Sequence, residues 1–472
     1  MGVSSEKSVK LFGRVDMRLI AGLINHAESP APLRYSEPGY MESLGIAMIG
    51  CGTVGGGVAR LLAEQQDRLS ARTGRHLQLR RVVVRDTARS RPHVPASIIG
   101  SDPKPAILDP NVDVVVELIG GVTQAREIIL TALAAGKHVV TANKHLLADH
   151  GSEIFEAARK ADRVVAFEAS VAGGIPIIAA ISQSLAGNQI SALQGILNGT
   201  SNFILSTMAE TGRSYEDALA EAQQLGYAEA DPTLDVDGSD ATHKLAILAQ
   251  IAFGITVPFE SVERYGIAGL NAMDLRFAQE LGYTIKLLAE AWLDGKEVAL
   301  QVAPVLLREK DMLAQVRGAF NAVQVIGDAV GEMMFQGAGA GSMPTASAVL
   351  ADLIDIAVGR AQRTFAAAKL WSANNRGYTL RPSTGVRSRF YLRVLVQDQP
   401  GMLADVARVL ADHSISIASL IQHEALEEHQ GQVVPLVIMT HYSPTGRFRE
   451  AVAKINLLKG VVPPAVFYSV DD

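Results

Sequence analysis

The sequence predicts an α/β chain in three folded parts: a doubly wound nucleotide-binding domain, an α+β middle domain and a small β-α-β-β-α-β domain at the end. Three observations carry this expectation. Between residues 44 and 165, apolar strands such as VDVVVEL alternate with amphipathic helices, as a parallel sheet covered on both faces requires. A glycine-rich turn, GCGTVG, stands between the first strand and the first helix. Over residues 388–472, RFYLRVLVQ, DQPGMLADVARVLADHSI and the segments after them repeat a strand-helix-strand order twice.

Size and composition set the outer bounds. A chain of 472 residues holds two to four domains at about 100 to 200 residues each. With 48% hydrophobic and 19% charged residues, it has the apolar material for large cores and too little charge for a disordered chain. The balance of 43 basic against 49 acidic side chains gives a net charge of -6. That excludes a global basic field, so neither nucleic acid nor a membrane surface is an expected partner. Cys51 is the one cysteine, which rules out an intrachain disulfide and a CxxC metal pair. No apolar run approaches the roughly 18 residues of a membrane span, and no secretory leader pattern opens the chain. A soluble, cytoplasmic protein is expected.

The elements follow in order. Residues 1–43 mix charges and prolines and read as a poorly ordered extension. The nucleotide-binding domain spans 44–165, with strands over 45–50, 77–85, 112–118 and 138–141 and helices over 55–66 and 123–135. The middle domain, 166–365, is assigned strands at 164–167, 193–197 and 298–305 and helices at 215–225, 240–253 and 273–292. A helix over 345–360 fits either domain. Residues 366–387 lose periodicity and read as a linker to the final domain at 388–472.

The glycine turn is the first chemical signal. Gly50 permits a tight turn, Gly52 lets the amides around Thr53 and Val54 approach a pyrophosphate, and Gly55 lets helix and strand pack closely; the helix N-terminus favours the anion. This is the Rossmann-type dinucleotide fingerprint in its proper context. Cys51 is a small filler within it. At the end of the next strand stands Arg85, where an acid for the ribose 2′-hydroxyl is usual, so a 2′-phosphate and NADP are favoured, while Asp86 one place on leaves NAD open.

Two further segments carry titratable groups. TANKH, Thr141 to His145, follows an apolar strand directly, which puts Asn143 and Lys144 at a carboxyl end of the sheet; a surface lysine at a helix start is the plain alternative. In YAEADPTLDVDGSDATHKLAIL, Asp240 and Lys244 lie one helical turn apart on one face. Glu229, Asp231, Asp235 and Asp237 crowd ahead of them, and His243 adds a second donor. By spacing alone these acids fit a solvated loop or a cation site as well as a catalytic cluster.

GCGTVG, TANK, EASVAGGIP, LNGTSNFIL, GYAEADPTLDVDGSDATHKL and GAGAG, in this order over about residues 44 to 380, closely resemble the homoserine dehydrogenase family, and the tail resembles an ACT domain. The resemblance implies reversible, NAD(P)-dependent interconversion of L-aspartate 4-semialdehyde and L-homoserine, in the route to threonine, isoleucine and methionine, by a monofunctional enzyme. It makes Lys244 the acid/base lysine and Lys144 a second lysine near nicotinamide and substrate. Glu229 and Asp240 become substrate-binding carboxylates, with Asp235, Thr200 and Asn202 also in the substrate site. Gly339 closes over the cofactor. A sodium-like monovalent cation is implied at backbone carbonyls near Glu168, Val171, Gly173 and Ile175. The tail implies homo-oligomerisation and an amino-acid effector, threonine, at Asp398, Gly401 and Met402, where Gly401 leaves helix amides free. Chemically, an aldehyde accepting hydride develops alkoxide charge, and a lysine can supply both proton and positive charge; two adjacent lysines are expected to lower each other's pKa. A non-catalytic NADP(H) sensor and a dehydrogenase of another amino-acid aldehyde are the competing expectations.

Overall fold

The computed structural model describes residues 42–372, 377–422 and 433–471; all but the last two residues of the expected extension lie outside them. The first sheet holds β1 (Ser43–Ile49), β2 (His76–Val83), β3 (Ile99–Gly100), β4 (Val114–Glu117), β5 (His138–Thr141) and β6 (Val165–Ala166) in the order β3-β2-β1-β4-β5-β6. Every pairing in it is parallel. The order reverses between β1 and β4, so the crevice at their carboxyl ends is the ligand-binding position of such a sheet.

Its strands are apolar throughout because alternate residues serve different cores. Ala47, Ile49 and Val115 pack with the helices Thr123–Ala134 and Lys144–Lys160, whereas Ile46, Met48, Val114 and Val116 pack with Thr53–Glu64 and Ser342–Ala357. The last of these helices, which the sequence left to either domain, packs into the core of the nucleotide-binding domain. The expected linker also turns out to be pinned. Trp371 is buried against Phe155 and Phe167, with ring centroids 4.4 and 5.8 Å away, and Arg159 Nη1 donates to the Leu370 carbonyl at 2.7 Å.

The second sheet has twelve strands and runs through both remaining domains. It comprises β7 (Ile190–Ile196), β8 (Glu263–Arg264), β9 (Tyr283–Asp294), β10 (Glu297–Arg308), β11 (Phe320–Gly327), β12 (Gly331–Ala338), β13 (Thr379–Leu380), β14 (Arg387–Gln397), β15 (Ile417–Gln422), β16 (Val433–Thr440), β17 (Ser443–Pro444) and β18 (Val461–Asp471). The central path is β12-β11-β7-β9-β10-β18-β14-β16-β15. Here one expectation fails. The helix expected over 273–292 stops at Glu280, Gly282 turns the chain at φ 79°, and β9 follows. β9 pairs with β7 on one side and β10 on the other, and two hydrogen-bonded neighbours override the helical propensity of KLLAEAWL. The hairpin of β11 and β12 was not anticipated either.

The tail has the expected β-α-β-β-α-β order around its own core of Leu392, Val406, Leu436 and Phe448. It joins the middle domain through a short parallel seam, Val305 to Leu307 of β10 against Ser469 to Asp471 of β18. A buried ion pair reinforces the joint: Arg393 Nε and Nη2 reach the two Asp274 oxygens at 2.6 and 2.9 Å, and the Tyr391 hydroxyl donates to Oδ1 at 2.9 Å. No single helix of the described residues is long and apolar enough to cross a membrane.

Removing one partner of a buried pair strands the other charge at a cost of about 3 to 5 kcal/mol. Asp274→Ala is therefore expected to lower unfolding stability by about that amount, measured as a shift of the urea midpoint; a shift within error would show that Arg393 finds solvent instead.

Candidate active site

The glycine turn has the geometry its sequence demands. Gly50 sits at φ 100°, and a Cβ there would lie 2.6 Å from the Leu118 carbonyl; one on Gly55 would meet the Gly50 carbonyl at 2.5 Å, while the space at Gly52 is open. The N-terminus of helix Thr53–Glu64 carries no side-chain cap and no acid in its first turn, which leaves its amides for an anion. Arg85 is exposed just beyond β2. Asp86 does not turn inward: its Oδ1 accepts from the Ala88 and Arg89 amides at 3.0 and 3.3 Å. Arg91 returns towards the turn, hydrogen-bonded to Cys51, and its buried Nε has no partner.

The next strand ends are stapled by a residue the sequence reading passed over. Glu117, fully buried at the end of β4, accepts from the Ile119 and Gly120 amides at 2.9 and 3.2 Å and from the Thr141 hydroxyl of β5 at 2.7 Å. Its signal was an acid closing an otherwise apolar strand. Asn143 caps the helix Lys144–Lys160 by accepting from Leu146 N at 3.2 Å and donates to the Gly121 carbonyl at 2.6 Å. Lys144 is thereby fixed at the sheet's carboxyl end.

There it meets the acidic segment. Lys144 Nζ lies 3.0 Å from Asp240 Oδ1, and Lys244 Nζ donates to Asp240 Oδ2 at 2.7 Å and to the Leu197 carbonyl at 2.6 Å. Asn198 completes the cluster, its Nδ2 reaching Asp235 Oδ1 at 2.7 Å and Asp240 Oδ2 at 2.9 Å. Burial opposes the charge of Asp240, but the two ammonium groups outweigh it and hold the carboxyl far below its usual range. The expected mutual depression of the lysines fails for Lys144, since Asp240 stands between them and raises the Lys144 pKa. For Asp235 burial is the largest influence and raises its pKa, with Asn198 and Lys244 offsetting it only in part.

The remaining expected residues separate. The Asp231 and Asp237 carboxylates accept from the amides of Thr233 and Ser239, the first residues of the two helices that follow. Glu229 is exposed on the loop before them, and among the described residues only its carbonyl is bonded, to Gln223. The Thr200 hydroxyl donates to the Tyr227 carbonyl at 2.7 Å, tying that loop to the helix Gly199–Thr211. Asp240 holds Lys144 on one oxygen and Lys244 and Asn198 on the other, which leaves acceptor capacity on Oδ1. One expectation needs correction. Asn202 is buried, donating to the carbonyls of Val316, Gly318 and Phe320 and accepting from Lys286; it is a structural bracket.

Gly339 of the GAGAG segment packs where a Cβ would overlap the Asn321 amide, and Asn321 Nδ2 donates to the same Leu197 carbonyl that Lys244 uses, at 2.8 Å. The contact to the glycine turn comes from Ser342, whose hydroxyl donates to the Thr53 carbonyl at 2.7 Å. Gly173, at φ 46°, lies so close to the Gly339 carbonyl that a Cβ would meet it at 2.5 Å, and Gly174 N donates to the Ala338 carbonyl at 2.9 Å. The segment around Val171 and Ile175 is thus clasped by the GAGAG turn. The Glu168 carboxylate points away, accepting from Ile178 N and Ala179 N at 2.8 Å each, and burial raises it to about 7. In the tail, Gly401 stands at φ 99° before the helix Met402–Asp412, Asp398 is exposed, and the Met402 side chain belongs to the tail's core. Met402 can therefore offer an effector only its backbone.

A nucleotide cradle at a switch point, a lysine pair on one buried carboxylate beside it, and a βαββαβ tail define a pyridine-nucleotide-dependent oxidoreductase with a regulatory module. The comparisons specify it further. The family description "Homoserine dehydrogenase" matches residues 176–354, its NAD-binding domain residues 50–168, and the ACT domain residues 390–456. The homoserine dehydrogenase of Neisseria gonorrhoeae is 44% identical over 428 residues, 90% of this chain and 98% of that one. The crystal structure of a homoserine dehydrogenase from Thiobacillus denitrificans superposes with a TM-score of 0.85 at 43% identity, covering 92% of this chain and 99% of that one. A hyperthermophilic archaeal homoserine dehydrogenase mutant in complex with NADPH matches at 0.56 and 28% identity, over 66% of this chain and 97% of that one. The chain belongs to the homoserine dehydrogenase family, NAD(P)-dependent oxidoreductases acting on the CH-OH group of homoserine.

His243 sits between the rings of His145 and Phe259, at 4.5 and 4.6 Å. Burial, then the neighbouring His145, lowers its pKa to about 4, below the roughly 6.5 of an unfolded histidine. Between those values the unfolded chain takes up the proton and the folded one does not, so stability falls as pH falls through that window. The urea midpoint should drop between pH 7 and pH 5, and His243→Gln should flatten that slope. Equal slopes in both proteins would assign it elsewhere, His138 being the other histidine among the described residues that burial lowers.

Proposed function

We propose that the chain reduces L-aspartate 4-semialdehyde reversibly to L-homoserine with NADPH as the preferred cofactor, in the route to threonine, methionine and isoleucine, under feedback by an amino acid, threonine, sensed by the ACT tail. The observation that carries the catalytic part is the pair of lysines held on one buried carboxylate at the carboxyl end of the sheet, beside the nucleotide cradle. The nicotinamide supplies the hydride. An ammonium has three donors; Lys244 spends one on the Leu197 carbonyl and one on Asp240, which leaves the third for the substrate oxygen. That proton meets the alkoxide charge as it forms. Lys144, raised by Asp240 and still partly exposed, stays charged to stabilise the same oxygen or to hold the substrate carboxylate.

Glu229 suits the substrate ammonium because its carboxylate has no partner among the described residues and stands on a loop that Thr200 ties to the cluster. Asp235, held through Asn198, adds negative charge to the same side. The preference for NADP is supported by Arg85 and Arg91 flanking the cradle, by Asp86 being spent on its own turn, and by the NADPH bound in the archaeal relative. A monovalent cation suits the clasped segment of Glu168, Val171, Gly173 and Ile175 through its carbonyls; Glu168 can offer only its carbonyl, since its carboxylate caps a helix. Homo-oligomerisation rests on the tail, whose β15 is an outer strand of the sheet.

Lys244→Ala is expected to lower turnover by about 10²- to 10⁴-fold, the usual contribution of a positioned proton donor, with NADPH affinity retained when followed by nucleotide fluorescence. Unchanged turnover would remove Lys244 from the chemistry. Glu229→Ala should act mainly on KM for the semialdehyde, and a KM equal to that of the parent enzyme would refute its ammonium contact.

A further inference from the structure

A cavity of about 590 Å³ lies between the middle domain and the tail, walled by β9 and β10 on one side and by β14 and β18 on the other. Its size falls within the roughly 300 to 1,000 Å³ of small-molecule sites. It lies away from the lysine cluster, sharing none of those residues, and it surrounds the β10 to β18 seam.

The lining is amphoteric. On one wall Glu290 is almost wholly buried, its two oxygens accepting from the neutral amides of Gln194 at 3.1 Å and Gln301 at 2.8 Å. Asp471 of β18 shares the Gln194 amide with it, so two carboxyls face one another across one donor. Burial, reinforced by Asp471, pushes Glu290 up to about 7, so an ammonium brought to this wall would draw that carboxyl into its charged form. The opposite charge lies elsewhere on the lining, in Arg381 and Arg449. Arg381 pairs with Asp294 at 2.9 Å and Arg449 with Glu263, and both side chains remain partly exposed on the lining. Trp292 and Phe467 supply apolar surface between them. Carboxyls on one side, partly exposed guanidinium groups on the other and apolar wall between match a zwitterion with a short side chain.

The same wall is mechanically connected to the active site. Gln194 lies on β7 opposite Glu290 of β9. Three residues further along the chain from Gln194, about 10 Å in an extended strand, stands Leu197, whose carbonyl holds Lys244, and next to it Asn198, which holds Asp235 and Asp240.

We propose that this cavity binds a small free amino acid, its carboxylate on Arg381 and Arg449 and its ammonium on the Glu290 and Asp471 pair, and that occupancy acts through Gln194 on the Leu197 carbonyl and Asn198 amide that position Lys244 and Asp240. The inference rests on the feedback reading of the tail, but places the ligand at the seam between domains instead of at the Gly401 turn. An ammonium between the two carboxyls replaces their repulsion by attraction, draws Asp471 and the seam towards β9, and reorients the amide they share.

The test is calorimetric titration of the full-length enzyme with L-threonine, L-isoleucine and L-methionine, alongside inhibition of NADPH oxidation by each. One of them should bind the parent enzyme. Arg381→Met, whose partner Asp294 is largely exposed, and Asp471→Asn should each weaken that binding about tenfold or more, the scale of losing one charge-assisted contact. Asp398→Ala at the helix turn should leave it unchanged. Gln194→Met should separate the two readouts, keeping affinity within about threefold while abolishing inhibition; urea midpoints near the parent value check that each variant folds. Binding that survives both Arg381→Met and Asp471→Asn but is lost in Asp398→Ala overturns this site and leaves feedback through the tail standing. Inhibition that persists in Gln194→Met overturns the route. Absence of binding by all three amino acids overturns the feedback reading and this proposal together.

Discussion

The Asp240 carboxylate, buried between the ammonium groups of Lys144 and Lys244, is the contact on which the rest of the active site depends. A lone carboxylate at that depth would be strongly disfavoured, and two lysines that close would repel. Each charge is tolerable because the others are there. The arrangement also ties parts distant in sequence: Lys144 starts a helix of the nucleotide-binding domain, Lys244 and Asp240 share a helix of the middle domain, and Asn198 comes from the end of a strand in the large sheet. Any motion of one domain against the other has to work against this ion cluster.

Around the cluster, glycines set how closely backbone segments approach. The Leu197 carbonyl receives Lys244 and Asn321, Asn321 rests on Gly339, Gly339 lies against Gly173, and Ser342 reaches the carbonyl of Thr53 in the nucleotide turn. A side chain at Gly339 or Gly173 would push these layers apart by an atom's width. The glycine content visible in the composition is in this region a set of spacers between the cofactor turn, the clasped segment and the lysine acceptor. Buried Arg393 and Asp274 do the corresponding work at the far end of the large sheet, locking the tail's first strand onto a helix of the middle domain.

The sequence was most legible where a local pattern has one physical reading. The parallel sheet announced itself in its uniformly apolar strands, and the tail in its strand and helix order. The motifs from GCGTVG to GAGAG, scattered along the chain, come together around the lysine cluster. The parts that were not legible depended on partners far along the chain. β9 reads as helix in isolation and becomes strand because β7 and β10 flank it. Asp231 and Asp237 look like Asp235 and Asp240 in a run of acids, and only the fold separates caps from charges that meet Asn198. Glu117 was hidden because a single buried acid has no periodicity.

The return of helix Ser342–Ala357 to the first sheet bears on how the chain is made. Every strand of that sheet has left the ribosome by Ala166, yet the face bearing Ile46, Met48, Val114 and Val116 lacks one of its covering helices until the whole middle domain has followed. A nascent chain halted anywhere in that interval carries an open apolar face, the surface on which misassembly starts and chaperones act. The catalytic domains therefore mature as one object, late in synthesis, and a fragment ending at the nominal domain border would lack the helix that finishes its core.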